Sequence, residues 1–515
     1  MKYDQIIVGA GSAGGALAAR LSEDPDRSVL LLEAGGDYPE LERIPEEVRL
    51  AYGSKIPIWD SDHIWNFSAR ATDLARIDIP RGKITGGSSG VNGAQFLRGV
   101  REDYDRWAEW GNDEWAFENV LPYFKRMEAD QDIRDEFHGN DGAIMCRRIP
   151  EDEWPPHAHA FYQACRDAGF PDCPDHNRPD STGVGPLTFN IIDGVRVSTA
   201  IGYLNPTRHR LNLTIRPDCH VHGIIFDGNR AAGLLVISGR EMFSVYGEEI
   251  VLCAGAVGTP HILLLSGVGP GDQLRKLGIP VVQDLPGVGR NLRDHPDVPL
   301  CWFTKEGYPL DVDQVTSGTV TLRYTAQGSP FVNDMILYVG NYLAARPFRG
   351  LDEKDPVGIG VSQCLYLALS EGELRLQSTD PRQQPILDYN LLDDPFDLKR
   401  MRDGLRLCNE LFNHEAFGDI IERRSGPSDE VLESDALLDE WMKTEVVTAH
   451  HISSTCKMGP SSDPLAVCDQ YGKVYGVDGL RIVDASIMPD TVRANLNVTV
   501  MTMGEKVADF IKEGR

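Results

Sequence analysis

Three stretches of this 515-residue chain hold residue types whose spacing could do chemistry. Near the N-terminus, Gly9-Ala10-Gly11-Ser12-Ala13-Gly14 separates an apolar run, Ile6-Ile7-Val8, from a helical pattern of Ala16, Leu17, Arg20 and Leu21. Gly9 permits a tight turn, Gly11 lets the backbone approach a pyrophosphate, and Gly14 lets a helix pack close to the strand before it. The helix start adds unpaired amides and a partial positive charge. Glu33 ends the next apolar run, 24 residues after Gly9. It can accept hydrogen bonds from a ribose diol, which favours FAD or NAD over NADP and leaves those two unseparated. A second stretch, Arg81-Gly82-Lys83-Ile84-Thr85-Gly86-Gly87-Ser88-Ser89-Gly90-Val91-Asn92-Gly93, is dense in glycine and serine and suits backbone contact with a large planar or phosphorylated ligand. The third, Thr448-Ala449-His450-His451-Ile452-Ser453-Ser454-Thr455, contains two adjacent histidines. A histidine can take up a proton near neutrality, although a lone buried one is more often structural.

These groups need elements to position them. Ile6–Val8, the helix after Gly14 and Val29–Leu32 read as a strand–helix–strand unit, with Asp24-Pro25-Asp26 as its turn. Glu249 to Cys253 reads as a strand feeding a helix through Gly255. From about residue 300 to 390, strands such as Asp334–Gly340 and Glu373–Gln377 alternate with turns, as in a mixed or antiparallel sheet. Helices are expected over Asp397–Phe412, over Asp429–Lys443, where Leu437, Leu438 and Trp441 share a face, and over Val498–Glu513. The expected architecture is α/β (α+β overall). A nucleotide-binding domain of residues 1–155, 190–298 and 446–515 is interleaved with a substrate domain of residues 156–189 and 299–445.

Composition bounds the function. With 78 acidic and 51 basic residues the formal charge is −27, which disfavours nucleic acid and anionic membrane surfaces as partners. The longest apolar stretch, 250–269, contains Pro260, His261 and several glycines, so no membrane span is expected. The ten cysteines form no Cys-x-x-Cys pair and no histidines stand at zinc-finger spacing, so reduced core thiols and no structural metal are expected. The start, Met1-Lys2-Tyr3-Asp4, lacks the features of a signal peptide, which makes the cytoplasm the expected location.

Two stretches are more specific than any single motif: Arg81 to Gly93, and Gly255-Ala256-Val257-Gly258-Thr259-Pro260-His261-Ile262-Leu263-Leu264-Leu265-Ser266-Gly267-Val268-Gly269. Here the sequence resembles the glucose–methanol–choline (GMC) flavoprotein oxidoreductases. Pro286-Gly287-Val288-Gly289-Arg290-Asn291-Leu292, Thr455-Cys456-Lys457-Met458-Gly459 and Leu480 to Pro489 extend the likeness in order along the whole chain. The resemblance implies FAD in a Rossmann-like domain, held by Gly9, Gly11, Ser12, Ala13, Gly14, Glu33, Ala34, Arg81, Gly86, Ser88, Ala94, Ala254 and Asn497. It places Asn92 and Gly93 beside the isoalloxazine, Asp484 and Ala485 near the diphosphate and ribityl chain, and Val221 where the backbone reads the adenine. Some members tether the flavin through a histidine at the place occupied here by Val91, so non-covalent FAD is expected.

The same resemblance singles out two catalytic positions. Four residues before Thr455 is His451, and eleven before Lys506 is Asn495, so the chain resembles the His/Asn type of choline-oxidising relatives. The implied reaction is oxidation of a primary alcohol to an aldehyde with hydride transfer to flavin N5. His451, titrating near neutrality as an ordinary histidine does, would take the hydroxyl proton. Asn495 would donate to the developing alkoxide. Reoxidation would be by oxygen or by a quinone or protein acceptor. Relatives also include hydroxynitrile lyases and a fatty-acid photodecarboxylase, so a lyase or photoenzyme on the same fold, or a non-catalytic flavin-binding protein, are the competing readings. His450 is expected to support the site or to pack rather than to catalyse, and Cys456 to pack; Trp59, Trp65 and Phe96 line a pocket or the core; the acidic run Asp429 to Glu440 is a solvated helix face.

Overall fold

The computed structural model describes residues 2–51, 58–309, 318–341 and 358–515. Residues 310–317 and 342–357 of the expected substrate domain therefore lie outside the described residues. The Gly-rich unit forms a strand Lys2–Val8, a helix Ser12–Leu21 and a strand Val29–Leu32. Gly9 sits at a φ of 102°, and a Cβ there would stand 2.5 Å from the Cys253 carbonyl oxygen. One on Gly14 would meet the Gly9 oxygen at 1.9 Å, so only glycine lets this helix approach its strand.

Lys2–Val8 is central in a seven-stranded sheet, parallel to Val29–Leu32 on one side and Glu241–Leu252 on the other. In register, Ile6 pairs with Leu30 and with Ile250. All three are buried, as continuous apolar runs must be when both faces of a parallel sheet are covered. Leu213–Arg216 extends one edge, Arg230–Ser238 and His220–Asp227 the other, and Leu480–Ile482 pairs with Glu241–Leu252 from far along the chain. The C-terminal helix, Leu496–Lys512, packs on Ser12–Leu21, with Arg20 Nε donating to the buried Glu505 carboxylate at 2.9 and 3.0 Å.

A second seven-stranded sheet is antiparallel and runs in the order Ile421–Gly426, Pro296–Thr304, Gly358–Leu365, Met335–Asn341, Val320–Tyr324, Gly183–Pro186. The two-residue strand Val447–Thr448 pairs with the start of Pro296–Thr304, Pro296 opposite Thr448. That pairing sets the residues after Thr448 beside those before Pro296.

The helices differ from expectation where caps compete. Asp429–Lys443 is two helices, Asp429–Glu433 and Asp435–Glu445, because Ser428 and Ser434 each accept an N-terminal amide and start a helix of their own. Pro395 opens the helix ending at Phe412, two residues earlier than expected, with Asp394 accepting from the Phe396 amide. All ten cysteines are buried and free of disulfides. No described helix is long and apolar enough to cross a membrane.

One buried polar cluster lies apart from both sheets. His138 stands 2.9 Å from Asp175, 3.2 Å from Asp130 and 3.3 Å from Glu128. Arg98 donates to Glu128, and Arg148 to Asp130 and Asp175. Those carboxylates hold the imidazole protonated despite burial, its pKa pushed up to about 11. Three carboxylates then face three cations.

Candidate functional site

A cavity of about 930 Å³ runs along the C-terminal edge of the parallel sheet, from Glu33 at one end to His451 and Asn495 at the other. Of the cofactor residues expected from sequence, Gly9, Gly11, Ser12, Ala13, Glu33, Ala34, Arg81, Ser88, Asn92, Gly93, Val221, Ala254, Asp484, Ala485 and Asn497 line it. Gly14, Gly86 and Ala94 do not. Gly14 is under the helix, Gly86 makes the turn with a φ of 106° and donates its amide to Ala10 O, and Ala94 is tied back to Asn92 Oδ1.

At the first end, Glu33 accepts from the amides of Ala10 and Gly35, both at 2.9 Å. Burial lifts its carboxyl to about 7 against those hydrogen bonds. Asp484 spends its oxygens inside the protein, on the amides of Gly255 and Ser486 and the Thr259 hydroxyl, and so anchors the start of the helix Gly255–Leu265.

Two observations fit this cavity to the dinucleotide. A Cβ on Gly87 would come within 2.6 Å of Gly11 Cα, so the two glycine-rich segments form a floor that side chains would fill. Asn497, on the first turn of the C-terminal helix, accepts from Ser12 Oγ at 2.7 Å. Its Nδ2 is a buried donor on the cavity wall with no protein acceptor, and such a group calls for a ligand acceptor. The residues present fit FAD.

The other end is built by the antiparallel sheet. His295 precedes the strand Pro296–Thr304 and His451 follows Val447–Thr448, so the strand pairing brings them together: His451 Nδ1 lies 2.9 Å from His295 Nδ1. Asp294 fixes both backbones, its Oδ1 accepting from the amides of His295 and His451 at 2.7 and 2.9 Å. Asn495 is the N-cap of the C-terminal helix, yet its side chain makes no capping bond. Its Nδ2 donates instead to Gln95 Oε1 at 3.0 Å and to His451 Nε2 at 3.2 Å.

These donors assign the protons. Because Nε2 of His451 accepts, its proton is on Nδ1 and is donated to His295 Nδ1; His295 then carries its proton on Nε2 and donates to Thr491 Oγ1 at 3.1 Å. The site therefore presents an unprotonated imidazole nitrogen to the cavity. The expected near-neutral titration of His451 is corrected. Burial drives its pKa well below the ordinary histidine value, and His295, His450 and Arg81 add to the shift.

His450 and Trp59 line the wall beside it, their rings stacked with centroids 6.2 Å apart. His450 adopts a φ of 67°, a left-handed conformation uncommon outside glycine, with its amide donating to Thr448 Oγ1 at 2.7 Å. Val91 and Trp65 also line the cavity, whereas Phe96 and Cys456 are fully buried in the core. Sequence reasoning missed His295, Asp294 and Thr491. The Asp294-His295 pair stands immediately after the Pro286–Leu292 stretch and Arg293, and a histidine beside an acid just before an apolar strand was the available signal.

Comparison with known proteins finds relatives along the length of the chain. GMC oxidoreductase family patterns match residues 3–297 and 368–504. An oxygen-dependent choline dehydrogenase from Klebsiella pneumoniae is 37% identical, over 99% of this chain and 96% of its own. Pyridoxine 4-oxidase from Mesorbium loti superposes with a TM-score of 0.90 at 29% identity, covering 99% of both chains. A formate oxidase variant from Aspergillus oryzae, studied for modification of its FAD, does so at 0.90 and 25% identity, covering 100% of this chain and 98% of its own. The chain belongs to the GMC oxidoreductase family, and its cofactor is FAD.

Proposed function

We propose that this protein oxidises a primary alcohol to its aldehyde, with His451 as general base and Asn495 as hydrogen-bond partner of the substrate oxygen. The observation that carries the reading is the proton assignment at the site: His451 Nε2 is a lone-pair nitrogen on the cavity wall, and an amide donor stands 3.2 Å from it. An alcohol oxygen lodged between the two meets an acceptor for its proton and a donor for the charge that develops. His451 gives this nitrogen up to solvent protons reluctantly, since burial disfavours the imidazolium. The proton it takes is therefore held only while charge forms opposite it. His295 keeps the ring in the required tautomer, as the third member of a catalytic triad does. Bound FAD supplies the two-electron acceptor for the hydride. The cofactor is held non-covalently, since Val91 offers no atom for a tether, and oxygen or a quinone or protein acceptor restores it. The same reading divides the chain into two interleaved domains, one around each seven-stranded sheet, with Pro296–Val298 and Val447–Thr448, expected from sequence in the nucleotide-binding domain, going with the antiparallel sheet.

The named relatives act on choline, pyridoxine and formate, so the donor must be found by experiment. Holoprotein mixed anaerobically with a panel of primary alcohols, with formate as a separate arm, is expected to lose its oxidised flavin absorbance with at least one alcohol and an aldehyde to form. Absence of bleaching with every alcohol, or bleaching by formate alone, would overturn the reading. Readmitting oxygen, or a quinone in its absence, then identifies the acceptor.

A further inference from the structure

Asn495 does its work only in one orientation of its amide, and the groups that choose that orientation lie outside the base pair itself. Its Oδ1 accepts from the Tyr338 hydroxyl at 3.3 Å. Tyr338 stands on the strand Met335–Asn341, and its oxygen is 2.9 Å from that of Tyr366, the residue following Leu365 at the end of the neighbouring strand. A phenol has one proton. With the Tyr338 proton on Asn495, Tyr366 donates to Tyr338. Both rings are buried, and burial raises both hydroxyls well above the ordinary phenol value, so the pair stays protonated. Tyr366 also holds the other half of the site: its ring stacks on His295 with centroids 4.1 Å apart and an interplanar angle of 15°.

We propose that the Tyr338–Tyr366 hydroxyl pair is a positioning device for the proposed alcohol oxidation, which locks the Asn495 amide so that His451 Nε2 is kept free of a proton. The inference rests on the reading of His451 as base. If the Tyr338 hydroxyl is removed, one of the two outside partners that fix the amide is lost, and Asn495, with Gln95 turning its own amide over, can rotate and present Oδ1 to His451. That arrangement is best satisfied by the opposite tautomer, with the proton on Nε2, which cannot accept one from substrate. The proton count is unchanged; only its place on the ring moves. Tyr338 and Tyr366 are therefore positioning residues that touch the reaction through Asn495.

A double-substitution cycle tests this. Tyr338→Phe is expected to slow anaerobic flavin reduction about tenfold at saturating alcohol, the worth of one buried hydrogen bond, with FAD retained and the concentration dependence unchanged. In an Asn495→Ala background the same Tyr338→Phe substitution should have no further effect, because no amide remains to orient. An equal loss in both backgrounds would mean a merely structural role and would overturn the inference, as would no loss in the single variant. Tyr366→Phe keeps the stack on His295 and removes only the second hydroxyl. It is expected to lower the rate in the same direction by less, and it carries the test if Tyr338→Phe does not fold. A wild-type protein reduced by alcohols with an unaffected Tyr338→Phe variant sinks only this inference. A wild-type protein that no alcohol reduces sinks the reading beneath it as well.

Discussion

His138 and His451 are both buried, and the protein holds them in opposite charge states. Around His138 stand Glu128, Asp130 and Asp175; around His451 stand His295, His450 and Arg81. Burial alone drives protons off an imidazole, and only adjacent carboxylates reverse that. One buried carboxyl does approach His451, but Asp294 is turned to its backbone amide rather than its ring and is itself lifted to about 6. The contrast separates a histidine held as a cation from one held neutral. The first completes a charge-balanced cluster, and the second keeps a lone pair available beside a cavity.

The comparison can be broken at either site. The largest expected effect is on turnover: His451→Ala should lower the rate of flavin reduction by about 10²–10⁴-fold, the usual worth of a positioned base, while the purified protein stays yellow. Undiminished reduction would remove His451 from the mechanism. At the other site, His138→Leu leaves three buried carboxylates to two arginines. It is expected to destabilise the fold by about 3–5 kcal/mol, read as a lowered thermal midpoint. An unchanged midpoint would show that Arg98 and Arg148 suffice.

A smaller effect is expected at the far end of the cavity. Glu33→Gln keeps one acceptor for Ala10 or Gly35 and loses the other, so FAD affinity measured by flavin fluorescence should weaken about tenfold. Unaltered affinity would relegate Glu33 to holding the turn. A further effect is in the pH dependence of stability, where the two histidines act with opposite sign. His138 has its folded pKa raised to about 11, so its contribution is complete below about 6.5 and is lost as pH rises towards 11. His451 has its folded pKa depressed, so its contribution is complete above about 6.5 and is lost as pH falls below it. Each limb has a limiting slope of about 1.4 kcal/mol per pH unit. Urea midpoints measured against pH should show a shallower acid limb in His451→Gln, where His295, His450 and other buried histidines still contribute, and a shallower alkaline limb in His138→Gln. Identical profiles for the two variants would contradict the assignment.

Much of this was legible in the sequence, for physical reasons that differ by region. The dinucleotide end announces itself because a strand, three glycines, a helix and an acid are contiguous, and their roles are local. His451 and Asn495 were legible only through resemblance, since nothing local distinguishes His451 from His450. His295 and Tyr338 were not found. Their roles arise from strand pairing between segments more than a hundred residues apart, Pro296 with Thr448, and from a hydroxyl 157 positions from the amide it holds. Charge state was the other blind spot: the same residue type is cation or base according to which carboxylates the fold brings near.

The central claim, that His451 stands neutral with Nε2 ready to receive the substrate proton, is tested most directly by the pH dependence of the anaerobic flavin-reduction rate at saturating alcohol. A rate already on its plateau at neutral pH is expected, falling only in the acid range below the ordinary histidine value, with that acid limb absent in His451→Ala. A rate that climbs through neutrality into the alkaline range would mean that the base is protonated at rest, and would contradict it.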